Sequence, residues 1–189
     1  MPNFFNSEEI KPGTLLISEP YISDYNFRRS VVLICEHTNS HSFGLVLNDP
    51  QRNIMETNYK DEIGIELPLF SGGPVDPSVM QFIHKRPDII PNGVPIGNGL
   101  FWAGDFEKAV SSIIENSIEL SDIKFFIGYS GWGAGQLLSE LKQNSWIISQ
   151  ANLEYLFETK PEKLWRKVLY DKGGDFRLLS NYPTDPNLN

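Results

Sequence analysis

The chain has a single cysteine, Cys35, and therefore no internal disulfide. A disulfide-stapled secreted scaffold is excluded. Long hydrophobic runs are also missing. The longest, Val31 to Cys35, falls far short of the roughly 20 residues that cross a bilayer. The opening residues, MPNFFNSEEIKPG, lack the basic and apolar regions of a signal peptide. These absences point to a cytoplasmic protein with no membrane partner. Only three histidines accompany the lone cysteine, so a closed zinc site would have to draw on carboxylates. No metal and no other cofactor is expected. Basic charge is scarce as well: 16 Lys and Arg stand against 24 Asp and Glu, a net charge of -8. No basic tail or run is present, which argues against direct nucleic-acid binding.

What is present suits one folded domain. The 189 residues are 40% hydrophobic and 12% aromatic, enough for a packed core. The 15 glycines and 13 prolines punctuate the chain and form no linker. A single domain over residues 1–189 is expected, with residues 1–12 and 180–189 as loosely ordered tails.

Residues 13–18 read as a short strand, and 30–36 as a central strand rich in β-branched residues and apolar on both faces. The polar stretch 37–41 is turn material, and 42–47 is the return strand of a hairpin. A short helix falls near Met55 to Glu62. Residues 68–74 form a strand end and a tight Gly-Gly-Pro turn. Residues 79–84 alternate as a strand, 87–95 form a loop, and 96–102 read as one further strand. Asp105 caps a helix through Glu115. Residues 123–128 form a strand running into a glycine turn and a helix, and 146–148 a short strand. Residues 152–157 and 161–170 read as helices, the second with Pro161 in its first turn. The chain from Lys172 onward is expected to be loose. This order fits α+β better than regular βαβ alternation.

The strongest local signal is GYSGWGAGQ, from Gly128 to Gln136. Its glycines let backbone N–H groups approach a ligand, and the next helix adds the positive end of its dipole. Named motifs fail there. Gly135-Gln136-Leu137 stands where a P-loop needs Gly-Lys-Ser/Thr, Trp132 replaces the last glycine of a nucleophile elbow, and Gln136 that of a dinucleotide fingerprint. The favoured reading is a tight strand-to-helix turn with Trp132 packed over it; the second is an anion or small-ligand site.

Arg28-Arg29-Ser30 precedes the central strand. An internal ion pair with a carboxylate such as Asp24 is favoured over an anion contact. Alternation places Cys35 and His37 on one face, which would let the imidazole activate the thiol; an inert buried thiol is favoured. Glu36, His37 and His41 read as solvated turn residues, not metal ligands. The carboxylates are too scattered to nominate an acid–base pair. Trp102, Trp146 and Trp165 read as core or interface residues. Lys160, Lys163, Arg166 and Lys167, with Glu162, read as a solvated helix face.

Several of these segments, taken in order, resemble the bacterial YqgE/AlgH family: Phe27-Arg28-Arg29-Ser30-Val31-Val32-Leu33, Phe43-Gly44-Leu45-Val46-Leu47-Asn48, Gly72-Gly73-Pro74-Val75, Gly128-Tyr129-Ser130-Gly131-Trp132 and Gly135-Gln136-Leu137. The ending Asp185-Pro186-Asn187-Leu188-Asn189 is similar too. The likeness spans residues 13 to 189. Asp49 departs from it, since the family often has a basic residue after Leu-Asn. The resemblance implies an α+β domain with a branched, mostly antiparallel sheet curled into a pseudo-barrel with flanking helices. It brings a transcriptional-regulator label, derived from a member associated with alginate production, and no catalytic residues. Candidate ligand-binding residues are Arg29, Ser30, Asn48, Gly72, Gly73, Ser130, Gly131, Trp132 and Gln136.

Three functions are weighed. With no complete catalytic motif, the first is a non-enzymatic binding or indirect regulatory protein, acting through a protein or small anionic ligand. The second is a nucleotide- or anion-binding protein or enzyme using the Gly128–Gln136 turn. The third is a thiol redox sensor at Cys35.

Overall fold

The computed structural model describes residues 10–49 and 67–183. The helix expected near Met55 to Glu62 and the ending Asp185 to Asn189 lie outside them.

Strands β1 (Thr14–Ser18), β2 (Val31–His37) and β3 (His41–Val46) form an antiparallel meander. The first two are apolar on both faces because they separate two cores. Leu15, Ile17, Val31 and Leu33 face one, and Leu16, Val32 and Ile34 the other. Strands β4 (Leu69–Ser71) and β5 (Val75–His84) follow. Next come β6 (Val94–Gly97) and β7 (Leu100–Trp102), where the sequence reads as one strand. Asn98 (φ +53°) and Gly99 (φ +77°) turn the chain between them, the two positive φ angles a tight hairpin requires.

Helix α1 (Phe106–Ile114) starts where expected, with the Asp105 carboxylate accepting from the Lys108 amide at 2.9 Å. Strand β8 (Ile123–Gly133) leads into α2 (Gln136–Lys142), and β9 (Trp146–Gln150) completes the sheet. Its order is β6-β7-β5-β8-β3-β2-β1-β9, and β4 pairs with β8 as well. Every pairing is antiparallel except β4 with β8.

β8 is therefore the branch point. Its first part pairs with β4 and β5, and its end pairs with β3. Gly128, at φ +70°, marks the change. Before it, Ile123, Phe125 and Ile127 face a third core beside α1; after it, Trp132 faces the core beside α2. The glycine resets which parity of side chains points to which layer, and a Cβ there would crowd the carbonyl oxygens of Gly73 and Val75, 2.8 and 2.9 Å away.

The sheet curls into a half-barrel. Its ends meet where Gly13 lies against the Ile96 carbonyl and where Asn98 Nδ2 donates to the Ala151 carbonyl at 2.6 Å. The barrel interior is filled by α3 (Pro161–Lys172), through Leu164, Trp165, Val168 and Leu169. Each of those side chains contributes about 1.5–3 kcal/mol on burial. The stretch read as a helix at 152–157 is a π-helical turn, Glu154–Glu158. The chain after Lys172, expected to be loose, forms α4 (Gly174–Leu179), held by Phe176 and Leu179 against the barrel core. Ile10 and Ser180 are also buried, at the inner ends of the two expected tails.

Candidate functional site

The segment leading into β2 is built by local hydrogen bonds. Asp24 caps a 3-10 turn, Tyr25–Phe27, accepting from the Asn26 amide and side chain, and forms no ion pair with either arginine. Its carboxylate is committed to its own turn, so the expected pairing of Arg28 or Arg29 with Asp24 is not made. Neither arginine lies in the strand. Arg28 closes the turn, and Arg29 takes φ +51°, a left-handed conformation unfavourable for a residue that carries a Cβ. Asn48 holds it there: Nδ2 donates to the Arg29 carbonyl at 2.9 Å, and Oδ1 accepts from the Val31 amide at 2.7 Å. Ser30, between them, is fully buried; its amide donates to Ser18 Oγ and its hydroxyl to the Phe27 carbonyl.

This turn aims the half-buried Arg29 guanidinium over the ring of Trp165, 4.7 Å from its centroid. Trp165 is fixed in turn, its indole donating to the Ser18 carbonyl at 2.9 Å. Around them opens a groove of about 1220 Å³ whose lining includes Arg28, Arg29, Asn48, Trp165, Arg166 and Asn181. Burial, and then the nearby charge of Arg166, push the Arg29 pKa down from its ordinary value.

The groove's charges are unbalanced. Lys167 bridges Glu154 at 2.9 Å and Asp171 at 3.0 Å, a trio that keeps one net negative charge. Among the described residues the remaining lining groups, without ion pairs, are Arg28, Arg29, Lys160, Lys163 and Arg166 against Glu158 and Glu162. With the trio counted, six cations face four carboxylates along the groove, a positive excess of two in a chain of net charge -8.

The other candidates sit elsewhere. Gly72, Gly73 and Ser130 form a packed seam. Ser130 Oγ donates to the Gly72 carbonyl at 3.2 Å, and a side chain on Gly73 would collide with Ser130 and Tyr129. Strand β8 continues from Gly128 to Gly133, and the expected strand-to-helix turn, beside the buried Trp132, is confined to Ala134 and Gly135 (φ +72°) ahead of α2. Gln136 Oε1 already accepts from the Gly133 amide at 3.1 Å, and its Nε2 donates to Glu140. Trp132 is buried against Trp146, while Gly131 and Gln136 are exposed. Of the nine candidates, the structure brings only Arg29 and Asn48 to the groove, with Ser30 beneath them. Sequence reasoning saw Arg166 and Trp165 only as a helix face and a core residue. Their α3 positions gave no sign that Arg29 would lie across them.

The thiol and histidine readings separate too. A β-bulge interrupts the β2–β3 register between Ile34 and Glu36, leaving Cys35 as the extra residue. A bulge breaks strict alternation. Cys35 points into the barrel core, whereas His37 sits opposite Ser42 and bonds its hydroxyl at 2.7 Å. Burial pushes the Cys35 pKa up, away from thiolate chemistry. No group of three metal-binding side chains occurs among the described residues.

The family model for AlgH-like proteins matches residues 15–177. This chain belongs to the AlgH-like family. Among its relatives is a "UPF0301 protein" of Cytophaga hutchinsonii, 44% identical over 178 residues, covering 94% of this chain and 98% of that one. Another, from Chlorobium limicola, is 39% identical over 186 residues, covering 96% and 97%. Two solved structures share the fold. A Corynebacterium diphtheriae protein has a TM-score of 0.73 at 21% identity, covering 95% of this chain and 96% of its own. The AlgH protein of Pseudomonas aeruginosa has a TM-score of 0.71 at 24% identity, covering 95% and 97%. No helix among the described residues is long and apolar enough to cross a membrane.

Proposed function

We propose that this protein is a non-enzymatic binding protein whose α3 groove takes a small anionic ligand. Any effect on transcription is then indirect, exerted from the cytoplasm through that ligand or a protein partner. The observation that carries this reading is the set of three guanidiniums, Arg28, Arg29 and Arg166, with no carboxylate within ion-pair distance among the described residues. Backbone strain supports it: Arg29 keeps a left-handed conformation that presents its guanidinium to the groove, and strain of this kind concentrates at functional positions.

Stability measured against a panel of phosphates, carboxylates and nucleotides at fixed ionic strength tests the reading. A ligand at 100 times its Kd adds about 2.7 kcal/mol, and Arg166→Ala should abolish that gain. No stabilisation by any anion would remove the proposal. A salt-dependent gel shift of duplex DNA at sub-micromolar protein would overturn the indirect role.

A further inference from the structure

Tyr182 touches both Arg29 and Tyr21. Its carbonyl accepts from Arg29 Nη2, and its ring packs against that of Tyr21 with centroids 6.1 Å apart. Tyr21 ends in a hydroxyl that is buried and has no hydrogen-bond partner among the described residues. An orphaned buried hydroxyl marks a missing acceptor. Arg29 and the nearby Arg166 have no counter-ion among the described residues. A single neutral carbonyl oxygen serves one of the five N–H donors of Arg29 and neutralises neither charge.

We propose that this corner is a subsite for a phosphate dianion, held by Arg29, Arg166 and the Tyr21 hydroxyl, with the Tyr182 carbonyl as its displaceable internal stand-in. The proposal rests on the groove reading and names its ligand. A dianion balances two guanidiniums where a carboxylate balances one, and the guanidinium fork matches phosphate oxygens. Displacement is local. Ser180 is buried and its hydroxyl donates to the Arg177 carbonyl at 2.8 Å, so the strap stays anchored at the end of α4. Only Tyr182 needs to move: its amide gives up the Leu179 carbonyl, 3.1 Å away, its carbonyl leaves Arg29 and its ring leaves Tyr21.

Calorimetric titration at pH 7.5 and fixed ionic strength, with inorganic phosphate, glycerol phosphate and acetate, tests this. Tighter binding of glycerol phosphate than of inorganic phosphate identifies a monoester as the ligand; equal or weaker binding identifies free phosphate. Acetate should bind about tenfold more weakly than either. Ending the chain after Asn181 should tighten phosphate about tenfold, and Tyr182→Gly, which keeps the carbonyl but removes the ring, should tighten it too. Tyr21→Phe should weaken phosphate several-fold without lowering the denaturation midpoint of the free protein. Anion binding that depends on Arg166 but ignores Tyr21→Phe and both strap variants would overturn the phosphate corner and leave the groove reading standing. No binding of any anion to either the full or the shortened chain would overturn both.

Discussion

Trp132 and Trp146 share one acceptor. Both indole N–H groups donate to Oε2 of Glu140, at 2.9 and 2.8 Å, and the two rings meet edge to face 6.1 Å apart. Glu140→Ala leaves two buried indoles unpaired, at about 1–3 kcal/mol each. Glu140→Gln, which keeps one carbonyl acceptor, should cost less. Urea denaturation of the two variants checks the order.

Arg29 carries both strain and contacts. Arg29→Ala keeps the left-handed backbone and loses the Trp165 and Tyr182 contacts. Arg29→Gly loses the same contacts but relieves the strain. The glycine variant should therefore be more stable than the alanine variant by about 1 kcal/mol. Equal denaturation midpoints would show that the conformation costs nothing.

Lys124 lies half-buried over the ring of Phe70, 4.7 Å from its centroid, with no ion pair among the described residues. Burial lowers its pKa to about 8. The unfolded chain therefore binds the proton more tightly. The full cost is present below pH 8 and shrinks as pH rises toward 10.4, the unfolded value. Lys124→Met should stabilise the protein at pH 7 by about 1–3 kcal/mol, net of the lost ring contact. The gain should fade at pH 10.

His84 is a buried histidine with both nitrogens committed. Nε2 meets the Ala103 carbonyl at 3.1 Å and must donate; Nδ1 accepts from the Arg86 amide at 3.2 Å. Burial depresses its pKa, so the unfolded state binds more protons just below pH 6.5. Stability falls as pH drops through 6.5 and levels off below the folded pKa. His37, lowered by burial and by His41, adds in the same direction. Denaturation of wild type and His84→Gln between pH 8 and 5 should show a flatter profile for the variant.

Much of the framework is legible in the residues. The β-branched run at Val31 to Ile34 marks a central strand, and Asp105 marks the start of α1. Other features depend on partners that sequence does not display. The bulge at Cys35 reverses which face His37 takes, and nothing local announces it. Asn98-Gly99 was an available hairpin signal inside a stretch that reads as one strand. GYSGWGAGQ looks like one long turn because glycine permits it, yet pairing with β3 keeps the chain extended to Gly133 and leaves only Ala134-Gly135 to turn into α2. Arg29 and Asn48 were visible as candidates. Tyr21 and Tyr182 were not, since their roles arise from a contact between residues 161 positions apart.

Strand β8 contributes Phe126 to the barrel core, Trp132 to the core beside α2, and Ile123, Phe125 and Ile127 to the core beside α1. Releasing it would hydrate all three at once. Release of β8 is therefore a global opening, and its central amides should be among the slowest in the protein to exchange with solvent.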